Sequence, residues 1–182
     1  MGIIEKGIRT IYGTTCFVYE LTSNKRSVFM RIDKTPYENE NRYIILIDLK
    51  KIYKYYDDQD NGKFTRAASI SEEEYFRREY NYTEDEFKRS MEIPVSLPEV
   101  SAYIDEFKIK KLFKKPQIIK KLKIGFIDGI TRTQWLFNNG FDIYPVETDD
   151  ESAHLLHEHF GIKGTKIYTV EKLLELSENE PN

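Results

Sequence analysis

At 182 residues, with 40% hydrophobic and 32% charged side chains, the chain is sized for one domain that buries its own core. A formal charge of −3 argues against a surface that wraps nucleic acid all round, leaving only local basic patches for that role. A lone cysteine excludes an internal disulfide and a thiolate metal cluster. No apolar run approaches the roughly 18 residues of a membrane span and no signal-like start is present, so the expectation is a cytoplasmic protein with no membrane partner.

The first third reads as strands, Gly7–Tyr12, Thr15–Leu21 and Ser27–Ile32, rich in Ile, Val, Phe, Tyr and Thr. Gly13-Thr14 and Ser23-Asn24 are the expected turns between them. Cys16, in the apolar run Cys16-Phe17-Val18-Tyr19, reads as a buried small hydrophobe rather than a nucleophile. Arg42–Ile47 suits a buried strand, and Asp48 opens a short helix through Leu49, Ile52, Tyr53 and Tyr56. Asp57–Gly62 invites a calcium reading, but Ala68 stands where the bidentate Glu should be, so it reads as a loop.

Two helices are expected next. Ser71-Glu72-Glu73-Glu74 and Thr83-Glu84-Asp85-Glu86 both carry capping-box spacing. Met91–Leu97, with Pro94 and Pro98 around it, reads as an edge strand or extended connector. Residues 108–123 then hold eight lysines and no acid, interleaved with Leu112, Phe113, Ile118, Ile119 and Leu122. They form either an amphipathic connector with solvated lysines or a phosphate-backbone surface. In the second case Lys110, Lys111, Lys114, Lys115, Lys120, Lys121 and Lys123 are the candidate nucleic-acid contacts.

Ile124–Ile127 is a short apolar strand ended by Asp128-Gly129, and Thr131–Asn138 reads as a helix stopped by Asn139-Gly140. Ile143–Glu147 follows as a strand. A turn from a strand end into a helix gathers free N–H groups at the positive end of the helix dipole, which suits anions. Here Thr131 and Thr133 add hydroxyls, and Arg132 adds a fork that fits phosphate. Gly129, Thr131, Arg132 and Thr133 are therefore the candidate ligand-binding residues, and Asp128 with Arg132 the candidate catalytic pair. Asp128 could instead cap the helix, and Arg132 could simply pair a nearby carboxylate.

The tail reads as a helix from Asp150 to Phe160 stopped by Gly161, a strand at Lys166–Tyr168 and a helix over Val170–Ser177. All three histidines, His154, His157 and His159, fall on the first of these helices. One helix offers two convergent ligands where zinc needs three or four, so a solvated face is expected and no metal site. The aromatics, 13 Tyr and 11 Phe against one Trp, suit a packed core with tyrosines at its rim.

Phe126-Ile127-Asp128-Gly129-Ile130-Thr131-Arg132-Thr133-Gln134-Trp135-Leu136, then Asn139-Gly140 and Ile143-Tyr144-Pro145-Val146, resembles the core motif of ParB/sulfiredoxin-like domains. Within that superfamily the chain looks most like the plasmid fertility inhibition factors, relatives of the oncogenic suppression activity protein. Ser27–Ile32, Ile44–Leu49, Met91–Val100 and His154–Gly161 extend the likeness. The resemblance implies an α+β domain with a mixed sheet over residues 1–182. Its parts would be a strand-rich portion to about 68, a helical middle at about 70–90 and the ParB/sulfiredoxin-like core at about 91–170.

The resemblance also implies a mobile-element protein that inhibits conjugative DNA transfer by binding nucleotide or DNA phosphate. Weak ATPase or nuclease activity would come with it, and Mg²⁺ if nucleotide or DNA is the substrate. Ile130-Thr131 replaces the family's Arg-His, removing an imidazole acid or base, and the absence of Cys at 130 excludes sulfiredoxin repair. Only Asp128, Gly129, Arg132 and Thr133 carry over. The alternative is a catalytically inactive adaptor that inhibits a protein partner in transfer, phage or defence systems.

Overall fold

The computed structural model describes residues 2–33, 42–59, 70–109 and 117–178. Strands β1 (Gly2–Ile11), β2 (Thr14–Thr22) and β3 (Ser27–Asp33) form an antiparallel meander, and β5 (Val95–Ser96) adds to β3 in parallel. The first turn falls at Tyr12-Gly13, one residue earlier than Gly13-Thr14. Both residues take positive φ, 49° and 80°, as a two-residue hairpin turn that matches strand twist requires.

The second sheet runs β7-β6-β8-β4-β9, with β4 at Tyr43–Asp48, β6 at Glu99–Ile109, β7 at Gln117–Asp128, β8 at Ile143–Thr148 and β9 at Tyr168–Thr169. Only β6 and β8 pair in parallel there. The α+β class and mixed pairing match expectation, with the strands divided between two sheets. One apolar cluster draws on both: Phe17, Tyr19, Leu21, Ile45, Ile47, Tyr144 and Val146 are all buried in it. Each such side chain stabilises by roughly 1.5–3 kcal/mol relative to exposure. Cys16 is buried too, its thiol donating to the Arg9 carbonyl at 3.3 Å.

Helices α1 (Leu49–Gln59), α2 (Ile70–Lys88), α3 (Ile130–Asn138), α4 (Asp150–Phe160) and α5 (Val170–Glu178) complete the chain. Asp48 caps α1, its carboxylate accepting from the Lys51 N–H at 3.0 Å. That helix runs to Gln59, so the first residues of Asp57–Gly62 are helical, while the rest lie outside the described residues.

The two helices expected at 71 and 83 are one. Thr83 is buried in mid-helix rather than at an N-cap. The physical reason is spacing: Tyr80, Thr83, Glu84 and Phe87 recur at three and four residues, one helical face. Phe87 of that face stacks on Trp135 of α3 with ring centroids 4.2 Å apart. Tertiary packing outweighs a local capping signal.

The larger correction is at 99–128. A long hairpin, β6 and β7, replaces the expected connector and the short strand Ile124–Ile127, with Ile109 paired to Gln117 at its far described end. β1 starts five residues before the expected Gly7, and only Val95–Ser96 of the expected Met91–Leu97 is strand; the other elements fall within a residue or two of expectation. α4 is capped by Asp149, which accepts from the Ser152 N–H at 2.7 Å.

Candidate functional site

The 128–133 turn joins β7 to α3. Gly129 caps α3 with φ 82°, a left-handed conformation that favours glycine. A Cβ there would stand 2.7 Å from the Cα and Cβ of Pro98, so the 98–99 backbone also requires glycine. One Asp128 oxygen accepts from the Gly129 N–H at 2.7 Å, and the other pairs with Arg132 Nη2 at 2.5 Å. Both oxygens are thus engaged, which makes Asp128 a poor ligand for a cation.

Arg132 points inward. Its Nη1 donates to the Ser96 carbonyl at 2.8 Å and to the Leu97 carbonyl at 3.1 Å, and its side chain is 17% exposed. The fork that suits phosphate therefore clamps the 96–97 backbone to the turn. Thr133 is buried. Its hydroxyl donates to the Gly129 carbonyl at 3.1 Å and lies 3.3 Å from the Tyr144 hydroxyl. Burial pushes the Tyr144 phenol far above its usual range. Thr131 is half-buried at the helix start, where the first N–H groups of α3 have no intrahelical acceptor.

Trp135 fixes the helix in place. It is fully buried, its indole N–H donates to the Glu84 carboxylate, and the Arg26 guanidinium lies 5.2 Å over its ring. Burial opposes ionisation of Glu84, but the Trp135 and Arg26 hydrogen bonds outweigh it and hold the carboxyl below its usual range.

The lysines do not adjoin this turn. Lys120 and Lys121 lie eight and seven residues from Asp128 along one strand, roughly 25 Å at 3.3 Å per residue. Nor is their surface free of acid. Lys120 Nζ pairs with Glu106 at 2.6 Å, and Asp105 stands directly across from Lys121. Lys123 is half-buried opposite Tyr103. Lys110, Lys111, Lys114 and Lys115 lie outside the described residues. Of the histidines, His157 uses Nε2 against the Thr165 carbonyl at 3.0 Å, while His154 and His159 are exposed.

A cleft of about 180 Å³ lies beside the turn, between α2 and strands β3 and β5. Arg31, Tyr82, Glu86 and Arg89 line it, over a floor of residues 93–96. That floor ends at Ser96, whose carbonyl Arg132 holds. Arg31 is ion-paired with Asp33, its Nε 3.0 Å from the carboxylate without a hydrogen bond, and Arg89 donates through Nε to the Asp85 carbonyl at 3.4 Å. Their terminal nitrogens carry no hydrogen bond to another described residue. Burial raises the Glu86 carboxyl above its usual range, although Arg132 and Arg89 oppose the shift. Sequence reasoning missed this set. Its signal was the spacing of Tyr82 and Glu86, four residues apart on a second face of α2, with Arg89 just past the end of that helix.

With this fold and turn in view, the comparisons are direct. The family model described as plasmid fertility inhibition factor matches residues 44–161, which run from β4 through α3 to the end of α4. The chain belongs to that family. Membership supports a role in inhibiting conjugation. The crystal structure of the oncogenic suppression activity protein, a plasmid fertility inhibition factor solved as a gold(I) cyanide derivative, has a similar fold. It superposes with a TM-score of 0.62 at 19% identity, over 96% of this chain and 81% of that one. No curated protein matches the chain. Among the described residues, no helix is long and apolar enough to cross a membrane.

Proposed function

We propose that this plasmid fertility inhibition factor acts in conjugation as a phosphate-binding protein without turnover. Phosphate, as nucleotide or at a nucleic-acid end, is taken by Arg31 and Arg89 in the cleft rather than by Arg132. The observation that carries the reading is the position of those two guanidiniums. Both line one cleft whose floor Arg132 braces, and both keep their terminal nitrogens available. Two guanidiniums offer the paired, charge-assisted donors that phosphate oxygens accept. Tyr82, 60% exposed at the rim, is placed to cover a base or sugar.

Binding without turnover fits the turn. Asp128 and Arg132 satisfy each other, and Ile130-Thr131 supplies no imidazole or thiol. The test is thermal unfolding with a nucleotide panel, inorganic phosphate and short DNA. A ligand at 100 times its dissociation constant adds about 2.7 kcal/mol, an easily seen rise in midpoint. The rise is expected to vanish in Arg89→Ala, whose side chain is on the surface, and to persist in Arg132→Lys. No rise with any ligand sinks the reading. A rise that survives Arg89→Ala moves the site elsewhere.

A second reading, an adaptor that inhibits a protein partner, is favoured by a separate observation: the bare apolar surface of the β6–β7 hairpin.

A further inference from the structure

The far half of the β6–β7 hairpin is exposed on both faces. Six of the eleven large hydrophobics exposed among the described residues lie there: Tyr103, Ile104, Phe107, Ile109, Ile118 and Ile119, from 39% to 56% exposed. Phe107 and Ile119 are direct cross-strand partners, with Ile109 two residues and Tyr103 four residues from Phe107 on the same face. A two-stranded ribbon is marginal in water by itself, and an apolar patch of this kind on a soluble chain marks an interaction site.

The ribbon also has an open edge. Among the described strands, β7 is the last in its sheet and pairs with β6 alone. The Tyr55 hydroxyl of α1 donates to the Leu122 carbonyl at 2.8 Å, so α1 covers the edge up to that point. Beyond it Ile118-Ile119-Lys120-Lys121 turn alternate backbone N–H and C=O groups outward, which is the template for strand addition.

Charge selects the occupant. Asp105 and Glu106 lie on the β6 side of the lysines, so on the outer side no described acid answers Lys120 and Lys121. A second copy paired edge to edge would gather the Lys120 and Lys121 of both chains in one short ladder, and like charges in a ladder repel. A nucleic acid would meet the two carboxylates on the same ribbon and leave the isoleucines unused. Ile118 and Lys120 share one face of β7 and Ile119 and Lys121 the other, so an incoming strand with two successive carboxylates beside two successive β-branched side chains satisfies both lysines and both isoleucines. We infer that the open edge of β7 at 118–121 docks an extended acidic–apolar segment of another protein as an added strand. This surface is independent of the phosphate cleft.

The test is selection of random short peptides displayed on phage against the immobilised full chain, followed by titration of the best synthetic peptide. Enriched sequences are expected to set two successive Asp or Glu beside two successive Val or Ile, and the bound peptide to protect the outward-facing amides of 118–121 from hydrogen exchange. Lys121→Glu turns an attractive cross-strand pair into a repulsive one and is expected to weaken binding about tenfold. Ile119→Ser, which leaves the charge unchanged, serves as a second variant and weakens binding in the same direction. Enrichment without acids, protection elsewhere, or binding unchanged in both variants overturns the inference. So does a short oligonucleotide that displaces the peptide, or self-association that protects the same amides.

Discussion

Strand β7 has two ends of opposite character. Its first five residues, Gln117–Lys121, are all exposed, while its last residues deliver Asp128 into a turn whose next glycine is buried. Both ends attract attention in the sequence for their charge. At the turn the charges close on one another, Asp128 on Arg132 and Arg132 on two carbonyls, so the polar groups hold the fold together. On the arm the lysines meet acids on one side only, and the apolar residues between them, which pair only across the ribbon, stay about half exposed. A motif with many polar residues is therefore a poor guide to where a ligand can reach. The positions of unanswered charge and bare apolar area are better ones.

Mutations at the two ends should differ in the same sense. Trp135→Ala, which empties the position behind the turn, is expected to cost about 3–5 kcal/mol, read as a fall in the urea midpoint at constant slope. Arg132→Ala removes a charged donor from Asp128 and from the Ser96 and Leu97 carbonyls, and should cost about 1.5–3 kcal/mol. A cost near zero would mean the clamp holds nothing, and would return Arg132 to the list of ligand-binding residues.

The two glutamates of α2 that face this region should respond to pH with opposite signs. Glu84 is depressed in the folded state, so its ionised form stabilises above the ordinary glutamate value near 4.5, and that stability is lost as pH falls through the lower folded value. Glu84→Gln should therefore cost about 1–2 kcal/mol at neutral pH, and the gap should close on acidification. Glu86 is raised, so the unfolded chain ionises first and stability falls as pH climbs from about 4.5 toward the folded value. Glu86→Gln should remove that loss and be the more stable protein at neutral pH. Matching pH profiles for the two variants would refute the assignment.

On the arm, Phe107→Ser should change stability by no more than about 0.5 kcal/mol, because the side chain is half-exposed and its cross-strand partner Ile119 is exposed as well. A cost comparable to that of Arg132→Ala would show the arm to be packed in solution, and would erase the contrast between the two ends of β7.

Most elements were legible from local pattern alone. Runs rich in β-branched and aromatic residues marked β2 and β3, an apolar run marked β4, Asp48 and Asp150 announced helix starts, and Gly140, with φ 76°, ends α3 in the left-handed manner its sequence suggests. The motif at 126–146 was also enough to point to the family. Three features were beyond local reading, each for a physical reason. The continuity of α2 through Thr83 depends on α3 lying against it, which no capping rule can see. The hairpin at 99–128 depends on strand register, and lysine-rich strands lack the apolar alternation that reveals a buried face. The use of Arg132 was decided by carbonyls more than thirty residues earlier in the chain. By itself the sequence determined most of the turns and caps and which residue types crowd the 128–133 turn, because these are set by near neighbours. The tertiary structure alone decided which charges are spent inside the fold and which remain for a partner, because that depends on segments far apart in sequence.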